Sequence, residues 1–355
     1  MMSRTTDIPH SRPALGPEDA QAVAQVVASG HVAQGAQVEA FERGVAAYVG
    51  RRGGVALSSG TAALEVALRV LGIGAGDEVL LPSFVCSAPW LAVTRIGATP
   101  RLVDCEAGTY NLDPASARHA RSPKTRALIV PHLFGLPADL TAIEALGLPI
   151  IEDCAQTLGA REQGRTVGTS GVVTVCSFYA TKLLCAGEGG MILADDVGVL
   201  ERARMLRAYD ERDDLPAASF NYKMTDMHAA LGLAQLSRLP DFITRRQAIA
   251  ATYCAGLAGG PLELPAVPAG RTHVYFRFVV GCGDGARRDR LMDRLVARGV
   301  QCRRPVFKSL HRYLGLGGFP ASDHADATAL SIPLYPSLSD DEVARVIQAV
   351  REAAA

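Results

Sequence analysis

Residues 176–190 read CSFYATKLLCAGEGG and place one lysine, Lys182, among apolar, hydroxyl-bearing and glycine residues. No carboxylate lies within five residues of it. The chain has only three other lysines, Lys124, Lys223 and Lys308, and arginine supplies the rest of the side-chain positive charge. An amine held out of water loses basicity and becomes a nucleophile able to form a Schiff base. The plainer reading is a side chain whose stem packs while its ammonium reaches water. What the remainder of the chain places around Lys182 decides between the two.

The segments on either side of Lys182 are strand-like, 172–178 and 190–194, and a helix is expected at 197–209. From Asp77 onward, strand-like runs at 78–81, 100–104, 126–131 and 149–152 alternate with helical stretches near 88–96, 114–120 and 140–145. This alternation predicts βαβ units and an α/β fold with a mostly parallel, doubly covered sheet. Ligands of such sheets sit beyond the carboxyl ends of the strands. Asp153 ends the run PIIED there, as a ligand group or, alternatively, a turn cap. Residues 54–71 read as a short strand, VALSS, a turn at Gly60 and a helix from Thr61. Ser58, Ser59 and Thr61 bring hydroxyls to a helix N-terminus, where open N–H groups favour an anion; an ordinary N-cap is the alternative. No Walker lysine and no G-x-G-x-x-G follows a strand, which disfavours P-loop and dinucleotide folds.

Helices are also expected at 17–29 and 38–48, joined by a glycine-containing loop. After a charged, irregular stretch at 207–220, NYKMTDMHAALGLAQLSRL reads as a helix with a strongly apolar face. The break at Leu239–Pro240 divides a large domain, 1–240, from a small α+β domain, 241–355. The second contains a connecting helix at 241–257, a strand at 273–280 and helices at 287–298 and 340–352. In that domain Arg303, Arg304 and His311 form a basic group facing either a diphosphate or solvent.

The 355 residues are 48% apolar with zero formal net charge, so no electrostatic attraction to nucleic acid or an anionic membrane is expected. No apolar run reaches the ~18 residues of a membrane span, and the N-terminal residues lack a signal core. Eight scattered cysteines without a C-x-x-C pair read as reduced, buried thiols of a cytoplasmic protein.

Four features thus follow one another in chain order: an anion-binding turn at Gly60–Thr61, a strand-end Asp153, Ser177, and Lys182 five residues later. Pyridoxal 5'-phosphate (PLP) needs each of them. Its aldehyde condenses with a lysine amine, its ring nitrogen keeps a proton opposite a carboxylate, and its phosphate takes N–H and hydroxyl donors.

With these motifs on view, the chain resembles the DegT/DnrJ/StrS family of PLP-dependent sugar aminotransferases, which share the type I fold of aspartate aminotransferase. The likeness rests on SGHVAQGAQVEAFE, SSGTAAL, IIEDCAQTLGA, SFYATKLLCAGEGG and NYKMTDMHAALGLAQL. It implies that Lys182 holds the cofactor as a Schiff base and Asp153 faces the pyridine nitrogen. It also implies that Ser177 with the Gly60–Thr61–Ala62 backbone binds the phosphate, that Gln156 approaches the ring, and that Asn221 reaches the phosphate of the neighbouring subunit of a homodimer. By the same resemblance the reaction is a ping-pong transamination from glutamate or glutamine to a keto sugar, usually nucleotide-linked, or a keto cyclitol. Two positions depart from the family pattern. Cys86 stands where an aromatic residue usually stacks on the ring, leaving Phe84, Trp90 or the thiol itself to cover it. LRAYDERDDLPAASFNYKM lacks a glycine common in the segment that lines the sugar site. PLP-dependent sugar dehydratases of similar sequence carry histidine in place of the lysine, so Lys182 speaks against that activity. A non-catalytic PLP-fold regulator would share the fold, but the Lys182 and Asp153 pair disfavours it. The sugar-family motifs disfavour an enzyme acting on amino acids alone.

Overall fold

The structure is a computed structural model that describes residues 7–209 and 219–354. Two helices, α1 (Pro17–Ser29) and α2 (Ala36–Val49), stop at Gly30 and Gly50, whose φ of 75° and 91° are left-handed. The alternating region follows as β1 (Gly53–Leu57), α3 (Gly60–Val70), β2 (Glu78–Pro82), α4 (Ala88–Arg95), β3 (Thr99–Val103), α5 (Pro114–Ala120), β4 (Thr125–Pro131), α6 (Leu140–Glu144) and β5 (Ile150–Asp153). A small hairpin, β6 (Arg161–Glu162) and β7 (Arg165–Thr166), precedes β8 (Val173–Ser177), β9 (Gly190–Ala194) and α7 (Val197–Arg207). The C-terminal part comprises α8 (Asp226–Leu257), β10 (Phe278–Gly281), α9 (Gly285–Ala297), α10 (Leu310–Leu314), α11 (Pro320–Thr328), β11 (Ala329–Ile332) and α12 (Asp340–Ala354).

Seven strands make one sheet in the order β1-β9-β8-β5-β4-β2-β3. β9 runs antiparallel to β1 and β8, and every other neighbouring pair is parallel. β5 and β9 are buried at every position, as a sheet covered on both faces requires. Because β1 shares its direction with β5 and β8, the start of α3, Asp153 and Ser177 all lie at one edge of the sheet.

Three expectations need correction. The two helices foreseen around Pro240 are one: α8 runs from Asp226 to Leu257 without interruption, starting at an N-cap, Thr225, that accepts from His228 N–H. Proline removes one backbone donor from such a helix, and packing at both ends holds it: Leu239 lies in the core around Phe41 and Phe178, while Ile249, Tyr253 and Leu257 lie in the core around Phe278 and Tyr335. The strand foreseen at 273–280 is confined to β10, because Tyr275 takes a φ of 49° and its ring stacks on His273 at 3.9 Å. The cysteines are all free, but Cys86 is exposed and Cys254 half-buried. Residues 210–218, part of the irregular stretch at 207–220 and of the glycine-lacking segment, lie outside the described residues. Among the described residues no helix is long and apolar enough to cross a membrane.

The edge that carries Asp153 and Ser177 is tightly packed. A Cβ on Gly190 would lie 2.2 Å from the Ser59 carbonyl oxygen and 2.6 Å from Gly60 N, and a Cβ on Gly60 would lie 2.8 Å from Ser177 Cβ. The Gly190 contacts are with backbone and the Gly60 contact is with a Cβ, so none is relieved by turning a side chain. Gly190→Ala is therefore expected to destabilise the protein by roughly 1–3 kcal/mol. Urea unfolding reads this as a lower midpoint, and an unchanged midpoint would show that the edge yields.

Candidate active site

Lys182 sits in the loop that joins β8 to β9. Phe178 N–H donates to Gly189 O and Ala186 N–H donates to Phe178 O, both at 2.9 Å, so the loop closes on itself. Leu183 and Leu184 anchor it in the core, and Phe178 meets Phe41 edge to face at 4.7 Å. Lys182 Nζ is 5.2 Å from the centre of the Phe276 ring. The residue is partly open to a cleft of about 230 Å³, yet protein crowds its amine. Burial holds its pKa below the usual lysine value, with Arg277 adding to the effect and Cys86 and Asp153 opposing it.

Asp153 faces the same cleft. One of its oxygens accepts from Ala155 N–H at 3.0 Å, and among the described residues no donor reaches the other. Burial raises its pKa, with the Ala155 N–H, Lys182 and His132 working the other way. A buried carboxylate with an open oxygen fits a cationic N–H facing it. The preceding residue, Glu152, projects to the opposite face of the sheet. It accepts from the N–H groups of Gly168, Ser170 and Gly171 at 2.5–3.0 Å and from His132 Nε2 at 3.1 Å. His132 Nδ1 accepts from Ala138 N–H, which leaves the proton on Nε2. Burial alone would raise Glu152, but His132 and the backbone donors more than offset it and hold its pKa below the ordinary range.

The other end of the cleft is the first turn of α3. Ser59 Oγ accepts from Ala62 N–H at 3.1 Å, while the N–H groups of Gly60 and Thr61 have no carbonyl one turn earlier. Ser177 closes the concavity against Gly60, and a side chain at position 60 would fill it. These open N–H groups with the Ser177 hydroxyl fit a phosphate. Ala62 differs from expectation: its N–H is engaged by the cap and the residue is buried outside the cleft lining.

Gln156 lines the cleft, and its Oε1 accepts from Phe134 N–H at 2.8 Å, leaving its amide N–H groups for a ligand. Cys86 lines the cleft beside Val85. Phe84 is fully buried against Tyr110 and Phe134, and Trp90 packs on the same core, so neither covers the site. Asn221 is exposed, lies outside this cleft, and accepts from Lys223 N–H at 3.4 Å. His311 is buried rather than part of a basic surface: its Nδ1 pairs with Ser83 Oγ at 2.7 Å and its Nε2 with Asp323 at 3.1 Å. Arg304 pairs with Asp289. The sequence reading omitted His132, Tyr179 and Glu188, all of which line the cleft, and the buried Glu152. The one available signal was the charge of Glu152 within the apolar run PIIED.

A lysine facing a strand-end carboxylate, with a phosphate-sized N–H cradle at the carboxyl edge of a sheet containing one reversed strand, defines the class: a PLP-dependent transferase of fold type I. The chain belongs to the DegT/DnrJ/EryC1/StrS aminotransferase family, whose profile matches residues 13–351. It is 39% identical over 353 residues to a dTDP-3-amino-3,4,6-trideoxy-alpha-D-glucose transaminase of Streptomyces venezuelae, covering 95% of this chain and 92% of that one. Its structure is similar to that of S. venezuelae DesV in complex with a ketimine intermediate, with a TM-score of 0.90, 39% identity, and coverage of 95% and 94%. It also resembles the PLP form of the putative sugar aminotransferase Spr1654 from Streptococcus pneumoniae, with a TM-score of 0.93, 26% identity and 98% coverage of both chains. The protein is an aminotransferase with PLP as its cofactor.

The Glu152 network has a pH signature. Its folded-state pKa lies below the unfolded value, so the stabilisation is complete above the ordinary carboxylate range and lost as pH falls through the folded value. Glu152→Gln should lower stability at neutral pH by about 1.5–3 kcal/mol and flatten the decline below about pH 4.5. Thermal unfolding across pH 3–8 measures both, and parallel curves for the two proteins would contradict it.

Proposed function

We propose that the protein transfers an amino group from glutamate or glutamine to a nucleotide-linked keto sugar, as a cytoplasmic homodimer with shared active sites. The observation that carries this reading is the convergence of Lys182 and Asp153 on one cleft whose far end is the first turn of α3. The names of the Streptomyces relatives support a deoxysugar nucleotide as the acceptor. Eight unpaired cysteines are in keeping with a reducing compartment. The packing of the C-terminal core supports a small domain over 241–355, to which the N-terminal segment adds Ile8, with α8 crossing the seam at 240.

The residues divide the work as follows. Gly60, Thr61 and Ser177 would hold the phosphate, and Asp153 would keep a proton on the ring nitrogen. Gln156, held through its Oε1 by Phe134 N–H, would offer its amide to the ring, and Cys86 lines the same cleft. What the cofactor supplies when bound is an aldehyde carbon for the amino group and a ring that draws electrons from the bond being broken. Lys182 first anchors that carbon. Its amine, kept weakly basic by burial, would take the proton from the donor α-carbon and give it up again as the amino group is transferred. A positioned proton carrier contributes typically ~10²–10⁴-fold. For the keto sugar the same amine would carry the proton in the opposite direction.

Mixing the enzyme with glutamate or glutamine should bleach the absorbance of the lysine-bound cofactor, and a keto-sugar nucleotide should restore it. Lys182→Ala should show neither change and no borohydride-reducible adduct. A stable adduct mapped to Lys124, Lys223 or Lys308 would remove Lys182 from this role.

Asn221 is exposed in the chain, and the family resemblance implies that it reaches the phosphate of a partner subunit. A hydrogen bond to a charged phosphate contributes about 1.5–3 kcal/mol, so Asn221→Ala should weaken cofactor binding about 10- to 150-fold. Mixed dimers of Lys182→Ala and Asn221→Ala subunits should recover about half the wild-type activity, because one site then carries both defects and the other neither. Absence of recovery after verified subunit exchange would reject the shared site.

A further inference from the structure

Glu65 does not line the cleft, yet it is almost fully buried, at 2% exposure, in the second turn of α3. Its Oε1 accepts from Arg69 Nη2 at 3.0 Å and its Oε2 from Arg95 Nε at 2.8 Å. Those two guanidinium groups already balance its charge. A third donor comes from 157 residues farther along the chain: the Tyr222 hydroxyl, 3.2 Å from Oε2. Burial alone would raise the pKa of Glu65, but the two arginines more than offset it and hold the carboxyl below its ordinary range. Burial and the Glu65 charge raise Tyr222. The phenol therefore keeps its proton and donates to an ionised oxygen, the stronger kind of hydrogen bond.

Tyr222 is held by its backbone as well. Its carbonyl accepts from Ser58 N–H at 2.8 Å, and its N–H donates to Arg207 O at 2.9 Å. Ser58 directly precedes Ser59, the N-cap of α3. Two residues beyond Tyr222, Met224 is buried, its methyl 2.9 Å from where a Cβ on Gly189 would lie. Asn221 itself is exposed, and the bond from Lys223 N–H to its side chain is long, at 3.4 Å. Its place is thus set by the neighbour on which the phenol bond acts.

We infer that Glu65, acting through Tyr222, is a positioning residue for Asn221, an inference that rests on the proposed role of Asn221 in a shared site. Arg69 and Arg95 suffice to pin Glu65 between α3 and α4. The phenol bond joins different parts: it spans α3 and the segment that precedes α8. That segment is thereby tied to the helix whose first turn cradles the subunit's own phosphate. Both phosphate contacts of a subunit, one in its own site and one in its neighbour's, then move with α3.

Tyr222→Phe removes the hydroxyl and leaves both arginine pairs of Glu65 in place, so the protein is expected to fold. In the cofactor-free protein, amide hydrogen exchange over 219–225 should quicken. Titration of that protein with PLP should show binding weakened by about 2- to 150-fold, with no further loss when Tyr222→Phe is added to Asn221→Ala. Glu65→Gln should weaken binding in the same way, again without further loss in the Asn221→Ala background. Tyr222→Phe subunits are then mixed with Lys182→Ala subunits. The one site of the mixed dimer that keeps Lys182 takes its Asn221 from the subunit with intact Tyr222, so its activity should half-saturate at the wild-type PLP concentration. Unchanged PLP binding by Tyr222→Phe, additive losses, or a raised PLP requirement in this mixed dimer when Asn221→Ala subunits in its place show none, would overturn the positioning role alone. A raised requirement in both mixtures, or normal PLP binding by Asn221→Ala, would remove the shared site and the role of Glu65 with it.

Discussion

The site depends on how closely the first turn of α3 is pressed against the ends of β8 and β9. Gly190 and Gly60 remove the two side chains that would hold these backbones apart. That single junction fixes the spacing between a set of open N–H groups, the Ser177 hydroxyl and the loop bearing Lys182. A helix N-terminus alone is a weak anion site, and a lone lysine is ordinary. Their separation makes them one site, and backbone packing sets it with little help from side-chain hydrogen bonds.

The charged groups are arranged with a similar economy. Consecutive carboxylates on β5 point to opposite faces and meet opposite fates. Glu152 is filled by three backbone donors and a histidine and works as a structural clamp between β5 and the 168–171 turn. Asp153 has one backbone donor and an oxygen left for a ligand. Burial drives Asp153 toward its neutral form and Lys182 toward its neutral form as well. Each is therefore held in an environment that a cationic ring nitrogen, for the first, and a covalent bond, for the second, would relieve.

Much of this was legible in the chain. α1, α5 and β9 have the bounds expected from their sequence, because proline at the start of the first two, glycine after α1 and a short apolar run for β9 leave few other solutions. Lys182, Asp153, Ser177 and Gly60 could be placed because strand ends in a parallel sheet share one edge. The misplaced residues are those whose surroundings come from far along the chain. His311 reads as a surface cation until Ser83, 228 residues away, takes its Nδ1. HVYFRFVV has the composition of a strand, yet Tyr275 takes a positive φ against the turn at Gly135, whose own Cβ would meet the backbone of Tyr275 and Phe276. Ala62 is the local exception: its N–H caps onto Ser59 only three residues earlier, a choice of donor that chain order alone does not assign.

Ile8 pairs with Val300: Ile8 N–H donates to Gly299 O and Gln301 N–H to Ile8 O, and Ile8 is fully buried in the core of the C-terminal part. A contact spanning most of the chain has a temporal meaning during synthesis. At ribosomal speeds of about 5–20 residues per second, the N-terminal segment waits roughly 15–60 s for its partner to be made. The large α/β layer, whose strands lie within 53–194, can form in that interval, whereas the C-terminal core closes only after release of its last helix. The order of assembly is thus written into the topology, with the Lys182 loop made well before the second core.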